Sequence, residues 1–252
     1  MRVEMAITEL NFKKMKKRLF STFVVSICLA SLAVAQGAGS SLAFDGGSSH
    51  VQIGSGSSLN LEGSAITIEA WIFVSGYPVV YPTIIAKGNS LNSYEFDVHN
   101  SGALTWSLGL SSGQKTLTSL AGTVASNTWV HVAGTYDGSR MRSYINGIEV
   151  ASVNASGAIV GNALPPRIGI RTNCCSPTSS IGSPFQGEID EVRIWNRTLT
   201  EAEIRHKMTE RLAGTELGLV AYYRMDEGTD NTCPGGQDVC DASGNGNHGV
   251  KF

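Results

Sequence analysis

Residues 129–150 read WVHVAGTYDGSRMRSYINGIEV, and the fold class is decided here. Trp129 to Tyr136 and Met141 to Ile145 are two strand-like runs separated by Asp137-Gly138, a turn pair. Asn146-Gly147 then lies between Tyr144-Ile145 and Ile148 to Val150. That dipeptide suits a two-residue hairpin turn, in which both central residues need positive φ. Three consecutive strands joined by tight turns build meanders and Greek keys, whereas parallel strands need long crossovers. Moving outward, Tyr94, Phe96 and Val98 alternate with Glu95, Asp97 and His99, and Leu104, Trp106, Leu108 and Leu110 alternate with Thr105, Ser107 and Gly109. Such period-two runs have one face on a core. Ile66, Ile68, Ala70 and Ile72 have Trp71 and Phe73 on their other side, so that strand is expected to pack on both faces and to be central.

One helix is expected, over Glu201 to Met208. Thr200 and Glu203 form a capping box, and Leu199 with Ile204 has the spacing of a hydrophobic staple. Beyond Tyr223 the composition shifts to Gly, Asn and Asp, so residues 229–252 are expected to be a tail outside the core.

At the other end, Lys13 to Arg18 carry five positive charges in six positions, followed by the apolar run Leu19 to Leu32 and by Ala33-Val34-Ala35. This is the pattern of a secretory signal peptide over residues 1–35, with Met15 as an alternative start. The apolar run is shorter than the roughly 20 residues a membrane-spanning helix needs. Removing residues 1–35 takes away six Lys or Arg and two Asp or Glu, leaving 13 cations against 19 carboxylates and a formal charge of −6. A mildly acidic chain lacks the basic footprint of a nucleic-acid binder. The remaining 217 residues suit one large all-β domain. Of the four cysteines left, Cys233 and Cys240 flank a short Gly- and Pro-containing loop and are expected to pair, with Cys174 and Cys175 as neighbours whose pairing stays open.

The segments LAFDG (Leu42 to Gly46), ITIEAWIF (Ile66 to Phe73), NTWVHVAGTYDG (Asn127 to Gly138), SYINGIEV (Ser143 to Val150), GEIDEVRIWNRTLTEAEI (Gly187 to Ile204) and LVAYYRMDEG (Leu219 to Gly228) occur in that order. Together they resemble the laminin G-like, pentraxin-like domains of the concanavalin A-like lectin/glucanase type common in bacterial secreted proteins. The resemblance implies an all-β antiparallel jelly-roll sandwich over residues 36–228, and Asp241 to Gly249 resembles the segment that in multidomain relatives leads to a further module of a longer protein. In that sandwich, Phe44, Trp71, Trp129, Val132, Tyr144, Ile145, Val192, Ile194 and Trp195 fill the space between the sheets or flank them. The resemblance also implies that Asp45 and Asp190 come together, so that one structural calcium ion could be held by Asp190 and by oxygens of Asp45-Gly46.

Some β-glucanases of this fold carry catalytic carboxylates along one strand at even separations, which share a face. Here Glu188 and Asp190 are followed at that spacing by Val192, and alternation sends Glu191 to the opposite face. His131 is expected to bond at the sandwich surface, and His50, His99, His206 and His248 are scattered. No nucleophile elbow or phosphate loop is present in the sequence. A non-catalytic module that binds a glycan or glycoprotein is therefore expected, with a structural or adhesion spacer as the alternative. Loop residues Tyr77, Tyr81, Arg171 and Asn173 are the ligand candidates.

Overall fold

Alternation along each run and the turn chemistry between runs produce sixteen strands and one helix in a computed structural model that describes residues 40–88, 93–172, 181–227 and 233–252. In chain order they begin with β1 (Leu42–Asp45), β2 (Val51–Ile53), β3 (Ile66–Gly76), β4 (Thr83–Lys87), β5 (Tyr94–Val98) and β6 (Leu104–Leu110). Next come β7 (Gly113–Thr118), β8 (Trp129–Tyr136), β9 (Arg140–Ile145), β10 (Ile148–Asn154), β11 (Arg167–Ile168) and β12 (Arg171–Thr172). The chain continues through β13 (Ile181–Gly182), β14 (Gln186–Trp195), α1 (Glu201–Lys207), β15 (Leu219–Tyr223) and β16 (Gly249–Lys251).

Sheet A has the order β1-β14-β3-β8-β9-β10, with β15 also paired to β14, and sheet B the order β16-β2-β11-β4-β5-β6-β7; every named pairing is antiparallel. This is the expected two-sheet sandwich. At the hairpin between β9 and β10, Asn146 and Gly147 both have positive φ (50° and 74°), as the two-residue turn requires.

The core lies between the sheets. Ile66, Ile68, Ala70, Ile72 and Val74 of β3 meet Tyr94, Phe96, Leu104, Trp106 and Leu108 of sheet B. Trp106 packs edge-on against Phe96 at 5.4 Å and donates its indole N–H to the Thr135 carbonyl. It fits because residue 134 is glycine: a β-carbon there would come within 2.8 Å of the indole. A second apolar cluster sits on the outer face of sheet A, where Ala133, Tyr144, Trp195 and Tyr222 are covered by Leu199, Ile204 and Leu212. β3 is therefore buried on both faces, as its composition predicts. The capping box and staple hold α1 there, with Thr200 accepting from the Glu203 amide and Leu199 and Ile204 both buried.

The tail reading is corrected by the structure. β16 pairs with β2, placing Gly249–Lys251 at the edge of sheet B, and Cys233 is joined to Cys240 with their α-carbons 5.2 Å apart. Backbone pairing needs no apolar content, and three backbone N–H groups converge on buried Asp241: those of Tyr222 and Ser243 on Oδ1 and that of Asn247 on Oδ2. His50 then stacks on Phe252 at 4.9 Å. Polar and main-chain bonds replace the apolar side chains this segment lacks. The expected signal peptide, residues 1–35, and Cys174 and Cys175 lie outside the described residues.

Candidate functional site

The calcium expectation joined Asp45, Gly46 and Asp190, and the register separates them. Asp45 pairs opposite Gln186, four positions along β14 from Asp190, which is roughly 13 Å at strand rise. No single ion with ligands at about 2.5 Å spans that gap. Asp45 is exposed and already accepts from the Gly47 amide and the Ser49 hydroxyl, which hold its carboxyl below the usual range, and Gly46 donates its amide to Phe185. β1 does lie beside β14, as the resemblance implies, with Asp45 and Asp190 at different heights along it.

Asp190 has a different environment. It is buried opposite Trp71, and burial, with the nearby Glu191 charge second, pushes its carboxyl up to about 7. The native state thus holds this proton more tightly than the unfolded chain, whose Asp titrates near 3.9. Stability is full below the unfolded value and falls as pH rises through the window from about 4 to 7. Asp190→Asn still accepts the Glu191 amide and removes the ionisation. We expect it to raise the unfolding free energy at pH 8 by about 2–3 kcal/mol and to change it little at pH 4. Urea titrations at the two pH values measure this, and an unchanged pH slope would refute it.

β14 also departs from simple alternation. Glu191 has φ +52° at an irregularity between Asp190 and Arg193, and the extra residue returns its carboxylate to the outer face of sheet A. There it accepts from the Arg193 guanidinium and the Tyr222 hydroxyl, so the expectation that it faces away from Glu188 and Asp190 is corrected. Glu188 accepts the Ser41 hydroxyl. His131 is likewise not at the surface: it is buried, 3.5 Å from Glu69, beneath the residues that follow α1. This face is a closed structural layer.

On the outer face of sheet B, polar side chains gather in two register rows. Because Tyr94 and Phe96 point into the core, Glu95 and Asp97 point out, and their cross-strand neighbours follow. One register row reads Thr83, Asp97, Thr105, Thr118; the next reads Gln52, Arg167, Ala86, Glu95, Ser107, Thr116. β12 lies against β4, and from it Arg171 pairs with Glu95 while Thr172 accepts from Arg167. Glu95, Asp97, Thr105, Ser107 and Arg167 are all buried. Yet Asp97 Oδ1, Thr105 Oγ1, Arg167 Nε and Arg171 Nε have no hydrogen-bond partner among the described residues. Burial, and then repulsion from Glu95, push the Asp97 carboxyl well above the usual carboxylate range.

Of the sequence candidates, Arg171 belongs to this face. Tyr81, 41% exposed, packs edge-on against His99 at 4.8 Å, and His99 stands two residues on from Asp97. Tyr77 is elsewhere, its hydroxyl 3.2 Å from that of Ser126, and Asn173 lies outside the described residues. Glu95, Asp97, Thr105 and Arg167 were missed as ligand candidates, although the alternation of β5 carried a signal: two carboxylates on the solvent face of a short strand. A polar groove of about 500 Å³ runs along Ser57 to Ala65, but its Asn60 side chain is occupied by Lys87. Among the described residues, one group of His, Cys, Asp or Glu side chains converges as metal ligands would, Glu227, Cys233 and Cys240, and its two sulfurs are bonded to each other. No helix among the described residues is long and apolar enough to cross a membrane.

Residues 45–205 match the family model of the concanavalin A-like lectin/glucanases superfamily. The fold is similar to that of a Bacteroides ovatus protein described as a candidate carbohydrate-binding protein, with 22% identity, a TM-score of 0.65, and coverage of 84% of this chain and 57% of that one. It is also similar to the CBM40 of the Ruminococcus gnavus IT-sialidase, solved bound to α2,3-sialyllactose, with 14% identity, a TM-score of 0.51, and coverage of 68% and 96%. Over 93 residues the chain is 34% identical to pappalysin-1 of Mus musculus, a stretch that is 35% of this chain and 5% of pappalysin-1.

Proposed function

The chain belongs to the concanavalin A-like lectin/glucanases superfamily, and from that premise we propose that it is a secreted, non-catalytic module that binds carbohydrate on the outer face of sheet B. The observation that carries this reading is Asp97. It is buried beside a second carboxylate, with one oxygen unpartnered, an arrangement that costs folding free energy. A saccharide hydroxyl would satisfy it. Thr105 Oγ1, Arg167 Nε and Arg171 Nε add open polar groups around it, and the exposed Tyr81 ring supplies an aromatic surface at the end of the row. The Cys233–Cys240 disulfide supports an oxidising compartment.

Asp97→Ala separates binding from folding. Since the wild-type carboxyl is penalised where it stands, the substitution is expected to leave the melting temperature equal or higher. Affinity for whichever polysaccharide the wild-type protein captures on a glycan array is expected to fall about tenfold or more, the loss of one buried hydrogen-bonding group. Silence of the wild type across broad polysaccharides would favour a spacer role, and unchanged affinity in Asp97→Ala would move the site to another face.

A further inference from the structure

We infer that the carbohydrate bound by this face carries a carboxylate, which docks on Arg167; the inference rests on the binding reading above and names its ligand class. Arg167 is 7% exposed. Its Nη2 donates to the Gln52 amide oxygen at 2.9 Å and its Nη1 to the Thr172 hydroxyl, both neutral acceptors, and its Nε–H is unpartnered. Among the described residues no carboxylate forms an ion pair with it. Burial alone acts on its charge, pushing the guanidinium below its ordinary value.

That is unusual within this molecule. Buried Arg193 has Glu69 and Glu191, buried Lys87 feels the charge of Glu62, and Arg171 has Glu95. An uncompensated buried cation costs several kcal/mol, and such groups are ordinarily paired. Arg167 and Glu95 stand in the same register row two strands apart, roughly 10 Å, with buried Ala86 between them and β12 lying against that middle strand. On the other side the row opens through half-buried Gln52 to exposed Val250.

The rest of the floor matches an acceptor-rich guest. Thr105 presents an unpartnered hydroxyl, the Ser107 and Thr116 hydroxyls bond to each other, and burial, then Glu95, push the Asp97 carboxyl well above its usual range. With Glu95 paired to Arg171, Arg167 is left without a counter-charge, and the carboxylate of a uronic acid supplies it. A neutral saccharide would leave Arg167 buried and uncompensated.

The test uses the full chain on an array of matched pairs: polygalacturonate, alginate, glucuronoxylan and hyaluronate, each beside its carboxyl-reduced counterpart, together with neutral glucans, mannans and galactans. Binding is expected to be confined to acidic members and at least tenfold weaker for the reduced partner. Arg167→Gln is expected to abolish the preference, and Arg167→Lys, which keeps the charge but loses the Nε–H, to restore part of it. The comparison of acidic and reduced polymers on the wild-type protein stands even if a variant folds poorly. Equal capture of reduced or neutral polymers would overturn the carboxylate inference and leave the binding reading intact, whereas silence across acidic and neutral polymers alike would overturn the binding reading itself.

Discussion

Arg193→Ala is expected to lower the unfolding free energy at pH 7 by about 3–5 kcal/mol, the cost of breaking a buried ion pair by removing one partner. Arg193 lies on the outer face of sheet A at 1% exposure, next to Glu69 at 3.5 Å and bonded to Glu191. Its two terminal nitrogens also donate to the carbonyls of Lys207 and Glu210, the last turn of α1 and the residues just after it, so one side chain ties the helix to the sheet. Trp71 adds its indole N–H to the Met208 carbonyl. Burial by itself would push the Glu69 carboxyl up, but the His131 hydrogen bond and the Arg193 charge outweigh it and hold the group below its ordinary value. A carboxyl so depressed contributes stability above the unfolded pKa, near 4.3, which is lost as pH falls through the folded value.

Without Arg193 the buried Glu69 and Glu191 lose their cation, and their protonation becomes the cheaper state. The destabilisation by Arg193→Ala should therefore shrink as pH is lowered from 7 toward 4. The pair Arg193→Met with Glu69→Gln, which removes opposite charges together, should recover part of the loss. Chemical denaturation at several pH values measures all three. A loss under about 1 kcal/mol at pH 7, or one that does not depend on pH, would show that the network does not hold the helix.

The second large effect is expected one strand away, beside Tyr222, the residue that pairs with Arg193. Asp241→Ala removes the acceptor of three backbone N–H groups, from Tyr222, Ser243 and Asn247, two of them in buried residues. Leaving buried donors unsatisfied costs about 1–3 kcal/mol each, and relaxation of the loop toward water recovers some of it, so a loss of about 3 kcal/mol is expected. The damage should also be local. Asp241 organises the turn that brings β16 back to β2, and Asn247 on that turn donates to Ser58 and to the Val220 carbonyl while its own carbonyl accepts the Tyr223 hydroxyl. Amide hydrogen exchange should then accelerate over residues 245–252 while β3 and β8 keep their protection. Asp241→Asn, which retains one acceptor oxygen, should fall between the wild type and alanine. If Asp241→Ala melts at the wild-type temperature, residues 233–252 are an appendage after all.

Features encoded within one strand or one turn could be read from the residues alone. Asn146-Gly147 specifies positive φ at two adjacent positions, the runs at Tyr94–Val98 and Leu104–Leu110 specify which side chains share a face, and Thr200 with Glu203 specifies where a helix begins. These are local preferences of a few residues, and they sufficed for an antiparallel sandwich carrying one helix. Register between distant strands is a different kind of information, set by how whole faces pack. So the sequence suggested that Asp45 and Asp190 meet, and only the pairing of Asp45 with Gln186 put them at different heights. The irregularity at Glu191 is equally silent in the sequence, because a single residue with φ +52° resets the alternation for everything after it. The same holds for Asp97 between two threonines and for Arg167 one small residue away from Glu95: each polar side chain looks ordinary on its own strand, and only tertiary pairing buries them together and leaves some of their polar atoms without a hydrogen-bond partner among the described residues.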